Sequence, residues 1–173
     1  MRKLKNITAQ RILIRRYEVL RGLIEQYNWT YGVELGIRDG ATHFYLLEQC
    51  PNLKMVGIDI WENNDEQFFK FMAKYKHFEN RSQILRMTTL EAAAHVSNNL
   101  DFIFIDADHS SEAIILDILT WSPKVKADGW ILGHDYTIPR FWSVVRAVDN
   151  FFPNSRHYSD NVWGCPKAES VFC

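Results

Sequence analysis

The run LDFIFID, Leu100 to Asp106, constrains the fold most, because five of its seven residues are apolar and do not alternate with polar ones. A strand of that kind has no side to offer to water. It must be covered on both faces, which a parallel sheet achieves with helices. The flanking sequence supplies them. Apolar positions at helical spacing run from about Thr8 to Tyr27 (Ile12, Val19, Leu20, Leu23, Ile24), and an apolar run from Tyr31 to Leu35 follows. Ala41 to Gln49 is helical again, Pro51 and Asn52 break the chain, and KMVGIDIW, Lys54 to Trp61, reads as a second strand. Asp65 to His77 forms the next helix, with Phe68, Phe69 and Phe71 on it, and SQILRM and TTLEAAAHV read as a third strand and its helix. After the central run, SSEAIILDILTWSP predicts a helix with serine near its N-cap and Pro123 beyond its end. GWILGHD is a fifth strand, Pro139 to Phe152 its helix, and His157 to Phe172 has room for two short strands.

Strand and helix thus alternate five times, the pattern of an α/β fold with a mainly parallel sheet. No linker, repeat or low-complexity segment divides the 173 residues, and a hydrophobic content of 47% is enough for one core. The expectation is a single domain, with a helical segment over 1–30 and the sheet-and-helix core over 31–173. Charge narrows the partners: 20 Lys plus Arg against 21 Asp plus Glu leave a net charge of −1, which predicts no long nucleic acid and no membrane as partner. The basic residues Arg2, Lys3, Lys5, Arg11, Arg15 and Arg16 read as the solvated face of the first helix. Cys50, Cys165 and Cys173 have no metal-site spacing and make an odd count, which fits a reducing compartment. With no signal-peptide or membrane-span pattern, the expected location is cytoplasmic.

In an open parallel sheet, ligands gather at the carboxyl ends of the strands. Those ends carry Glu34 and Gly36, then Asp59, then Thr88 and Thr89, then Asp106, Asp108 and His109, then His134 and Asp135. Gly36 leaves room for close backbone approach, and Gly40 for a helix to begin without a Cβ in the way; an ordinary tight turn explains the pair equally well. The spacing is not the G-x-G-x-x-G of a dinucleotide site, and Asp39 stands where a phosphate would approach. Asp59, ending the second strand, suits two ribose hydroxyls, so the two features together favour a nucleoside without phosphates. Thr88 and Thr89 suit either an adenine edge or the cap of the next helix. Trp61 suits a base or simple packing. Asp106 and Asp135, expected at adjacent strand ends, offer hard oxygen ligands to Mg²⁺ or a similar divalent cation. His109 and His134 are general-base candidates or scaffold, Asp108 braces its loop or caps the helix, and His43 and His77 read as surface or packing residues.

VELGIRDG, VGIDIW, LDFIFIDADHSSEAIILDI, KADGWILGHDY and VVRAVDNFF, in that order, resemble the class I S-adenosylmethionine-dependent methyltransferases, within them a small group related to the catechol and sugar O-methyltransferases. The resemblance runs from about Gly32 to Phe152. It implies a Rossmann-like, seven-stranded sheet flanked by helices, binding S-adenosylmethionine through Glu34, Gly36, Gly40, Asp59, Ile60, Thr88, Thr89 and Asp106. It implies a divalent metal, Mg²⁺ or Mn²⁺, on Asp106, His134 and Asp135, with Asp106, His109 and His134 as catalytic residues. The reaction implied is O-methylation of a small-molecule or sugar hydroxyl with metal assistance. Met87, Thr88 and Thr89 stand where a Gly-Asp-Ser-like turn is common in the group, and His134 where an acid or amide is more usual. The short N-terminal region leaves room for a lid borrowed from a second subunit of a homo-oligomer. Two competing readings are a non-catalytic cofactor-binding scaffold and a nicotinamide-dependent oxidoreductase.

Overall fold

The computed structural model describes residues 14–172. One seven-stranded sheet runs through them, built from β1 (Tyr31–Leu35), β2 (Lys54–Asp59), β3 (Ser82–Arg86), β4 (Leu100–Ile105), β5 (Val125–Gly133), β6 (Arg156–His157) and β7 (Trp163–Pro166). The order across it is β3-β2-β1-β4-β5-β7-β6. The first five strands pair parallel, and β7 pairs antiparallel with both β5 and β6. This is the expected Rossmann-like α/β sheet, its strand order reversing between β1 and β4.

Among the described residues six α-helices cover the sheet: α1 (Arg16–Tyr27), α2 (Ala41–Gln49), α3 (Asp65–Tyr75), α4 (Thr89–Ala92), α5 (Ser111–Trp121) and α6 (Trp142–Phe151). The apolar run of β4 is buried at all six positions, and from Phe102 to Ile105 its residues divide by parity. Ile103 and Ile105 join Val33, Leu35 and Ile131 under Ile114, Ile118 and Trp121 of α5 and Val144 and Val148 of α6. Phe102 and Phe104 face the other way, with Leu20, Leu23 and Ile24 of α1 and Leu46 and Leu47 of α2. Period-2 alternation in the strand thus serves two period-3.6 covers.

Two helices differ from expectation. Residues 1–13 lie outside the described residues, so the reading from Thr8, Ile12 included, concerns positions not described. Residues 14 and 15 are not helical, and α1 starts at Arg16, where the Arg15 N–H donates to Glu18 Oε2 at 2.8 Å and closes the first turn. TTLEAAAHV yields only the single turn α4 and a 3₁₀ turn, Ala93–His95. Thr88 caps α4 with Glu91 in reciprocal bonds, while Ala92, Ala93 and Val96 are buried.

The pairing continues one residue past the strands. Gly36 N–H donates to Ile58 O (2.8 Å), Asp106 N–H to Leu35 O (2.9 Å) and His134 N–H to Ile105 O (3.1 Å). Gly36, Asp106 and His134 therefore stand in one row at the sheet's carboxyl edge.

Candidate functional site

A crevice of about 1070 Å³ opens along that edge, lined among others by Glu34, Gly36, Asp59, Thr89, Asp106 and His134. Its floor is the turn after β1. Gly36 has φ +86°, and a Cβ there would lie 2.2 Å from the carbonyl oxygen of Asp106. The glycine is required by the neighbouring strand end as much as by any ligand. Gly40, φ +79°, opens α2 beneath the rings of Phe44 and Phe71. It is buried and does not line the crevice, so the structure does not bring it together with the other predicted cofactor residues.

Asp59 ends β2 with both carboxylate oxygens engaged: Oδ2 accepts from Arg38 N–H and Oδ1 from Trp61 N–H, each at 2.8 Å. Arg38 and Trp61 both hold left-handed backbone (φ 49° and 43°), a conformation costly for such side chains. The two bonds offset that cost and fix the loops on either side of the carboxylate. Trp61 itself is 2% exposed, packed on Phe68 and Phe71, with its indole N–H donating to Arg38 O (2.8 Å). It is a packing residue and not a cover for a base. Ile60 is half-exposed on the crevice wall.

Further along, Thr88 and Thr89 also line the crevice. The Thr88 side chain is committed to capping α4, and the Thr89 hydroxyl donates to Asp117 Oδ1. Asp117 comes from α5 and is 2% exposed; burial lifts its carboxyl to about 6, against the pull of the Thr89 bond.

At the ends of β4 and β5 the charged groups converge. His134 Nδ1 is 3.0 Å from Asp135 Oδ1 and 3.7 Å from Asp106 Oδ1. His109 Nε2 is 2.5 Å from Asp135 Oδ2, although the ring N–H is not aligned for a hydrogen bond. The His109 ring lies flat on Phe141 at 4.1 Å. Asp135 is held at φ 62°, which an aspartate tolerates better than most residues. Burial raises Asp106 to about 7, opposed by His134 and Arg16 and reinforced by Asp135 and Glu34. Burial disfavours charge on His134, yet the bond to Asp135 and the nearby Asp106 raise it. Burial would raise Asp135 too, but His109 and His134 outweigh it and hold it well below the usual range. Asp108 accepts from Ser110 N–H (2.9 Å) and so braces the loop.

Of the basic residues read as a solvated face, Arg2, Lys3, Lys5 and Arg11 lie outside the described residues, Arg15 is exposed, and Arg16 departs from the reading. Its Nε donates to Thr42 Oγ1 at 3.0 Å and lies 3.7 Å from Asp106 Oδ2, inside the crevice. His43, read as surface or packing, is fully buried and sits 3.3 Å from the buried Glu34. His77 is exposed.

Residues 33–136 match the family model of a methyltransferase domain. The chain belongs to that family. An uncharacterised protein of Acanthamoeba polyphaga mimivirus is 29% identical to this methyltransferase domain over 133 residues, 73% of this chain and 59% of that protein. The chain therefore spans about three-fifths of the length of that relative. Among solved structures, a candidate caffeoyl-CoA O-methyltransferase from Staphylococcus aureus superposes with a TM-score of 0.66 at 19% identity, over 86% of this chain and 80% of that one. SAH-bound PaMTH1 of Podospora anserina gives 0.66 at 12% identity, over 86% and 76%. A spermidine synthase shares the fold as well, with a TM-score of 0.63 at 20% identity, over 88% and 59%. Because one sheet carries such different chemistries, what this methyltransferase domain acts on must be argued from its own site. Among the described residues no helix is long and apolar enough to cross a membrane.

Proposed function

We propose that this domain transfers a methyl group from S-adenosylmethionine to a hydroxyl of a small molecule or sugar. One observation carries the reading: two carboxylates and two imidazoles converge at the ends of β4 and β5, beside a crevice that begins at the turn after β1 and has ample room for a nucleoside. In this reading Glu34 faces the donor's ammonium group, Asp59 and Ile60 its ribose, and Thr88 and Thr89 the adenine end. Asp106, next to Gly36 in the edge row, stands beside the sulfonium. Methyl transfer is an in-line displacement that needs alignment more than covalent help, and the aligned strand ends supply that. His109, oriented by Asp135, takes the proton of the acceptor hydroxyl.

Asp106, His134 and Asp135 each present one donor atom within 4.8 Å of the others, and the His134 nitrogen beside the two carboxylates is Nδ1. That donor set fits a divalent cation, and the imidazole favours Mn²⁺ over Mg²⁺, which prefers oxygen throughout. A bound cation would supply a Lewis acid that lowers the pKa of the acceptor hydroxyl. The 2.5 Å approach of His109 to Asp135 favours a second reading in which the histidine base suffices without a cation.

Calorimetric titration with S-adenosylhomocysteine, followed by methylation assays on catechol and sugar panels with Mn²⁺ or with chelator, tests both. Binding of S-adenosylhomocysteine and Mn²⁺-dependent turnover are expected. Turnover unaffected by chelator would select the metal-free reading, and failure to bind S-adenosylhomocysteine would end the proposal.

A further inference from the structure

His43 and Ser82 form a buried support for Glu34 that the proposed chemistry does not itself use. Glu34 lines the crevice yet is 2% exposed, and its Oε2 is buried without an aligned hydrogen-bond donor. A carboxylate in such a place is costly unless something answers its charge. The candidate is His43, 0% exposed on α2, whose Nδ1 is 3.3 Å from Glu34 Oε2. On the far side of the ring, Nε2 lies 2.8 Å from the Ser82 hydroxyl at the start of β3. The backbone carbonyl of Ser82 in turn accepts from Tyr75 O–H at 2.8 Å.

The ring has been given its space. A Cβ on Gly57, in the strand between Glu34 and Ser82, would come within 2.9 Å of His43 Cε1. The chemistry also selects a tautomer. If Nε2 carried the only proton, the bare lone pair of Nδ1 would face the carboxylate. With the Ser82 O–H donating to Nε2, a single ring proton sits on Nδ1, 3.3 Å from Glu34 Oε2 but not aligned on it as a hydrogen bond.

We infer that His43, anchored by Ser82, is a positioning residue that holds the Glu34 carboxylate in place for the ammonium group of the methyl donor. The inference rests on the donor reading proposed above. It makes a specific demand on ligands: the amino-acid end should depend on His43, and the nucleoside end should not.

The experiment compares Kd for S-adenosylhomocysteine, which carries the ammonium group, with Kd for 5′-methylthioadenosine, which lacks the amino-acid end. Wild-type protein should bind S-adenosylhomocysteine; if it does not, the donor reading itself falls, before His43 is tested. In His43→Leu, Kd for S-adenosylhomocysteine should rise about 10- to 100-fold, as expected when a buried carboxylate loses the polar group beside it. Kd for 5′-methylthioadenosine should stay within about twofold. His43→Asn, which can keep an N–H near the Nδ1 position, should restore most of the loss. Equal weakening of both ligands would mark a merely structural histidine, and no change in either would leave it without a role; both results overturn the inference. Should His43→Leu fail to fold, Ser82→Ala decides instead: selective weakening of S-adenosylhomocysteine supports the inference, and any other pattern refutes it.

Discussion

Replacing Asp117 with asparagine should stabilise the protein in neutral and alkaline solution and leave it unchanged in acid. Asp117 is buried on α5, and burial raises its carboxyl from 3.8 to about 6 despite the Thr89 hydrogen bond. The unfolded chain gives up this proton near pH 4, the folded chain only near pH 6. Between those values the folded state binds more protons than the unfolded state. Stability therefore falls as pH rises through this window, and the loss is complete above it. Two units at about 1.36 kcal/mol each set a ceiling of about 3 kcal/mol. The site borders an open crevice where water relaxes part of the penalty, so about 1.5 kcal/mol is the working figure. Asparagine keeps the shape and the acceptor for Thr89 but has no charge to bury. For a chain of this size the gain corresponds to a rise in melting temperature of about 3–6 °C at pH 8. Thermal unfolding followed by circular dichroism from pH 4 to pH 8 measures it. A gap between variant and wild type that is constant across that range, or that opens toward acid, would refute the argument, because neither follows from a buried carboxylate.

Gly36→Ala should lower stability by about 3 kcal/mol or more, since a left-handed backbone alone costs roughly 1–2 kcal/mol and the added carbon meets the Asp106 carbonyl at 2.2 Å. A melting temperature within about 2 °C of wild type would show that the turn after β1 yields easily. Asp59→Ala removes the acceptor for both Arg38 and Trp61 N–H as well as the proposed ribose contact. Its Kd for S-adenosylhomocysteine should rise about 10- to 100-fold, and unchanged binding would remove Asp59 from the donor site.

The alternation of strands and helices and the acids at the sheet edge could be read in advance because carboxylates at the ends of apolar runs are conspicuous. Glu34, Asp59, Asp106 and Asp135 all sit at such places, and the crevice is lined by all four. Arg16 could not be found this way. Its surroundings exist only once α1 docks and brings it to Thr42 and Asp106, far along the chain, and locally it is one basic residue among several. Trp61 was ambiguous for a related reason: an indole after a strand looks the same whether it will cover a base or fill the gap beside Phe71.

Asp117 goes unread and His43 reads only as surface or packing, although a signal is present at both. The buried positions of α5 are Ile114, Asp117, Ile118 and Trp121, the i, i+3, i+4, i+7 stripe that faces a core, with one carboxylate among three apolar residues. In α2, His43 lies among Phe44, Leu46 and Leu47 in the same way. A helix gains nothing from placing a titratable group on its buried stripe unless a partner waits there, since an unpaired polar group inside costs several times what a surface one does. Thr89 answers Asp117, and Glu34 with Ser82 answers His43. Acids after apolar runs thus mark the open edge of such a site, while titratable residues within apolar stripes mark the supports behind it. Both follow from the same penalty on burying charge, applied first to strands and then to helices.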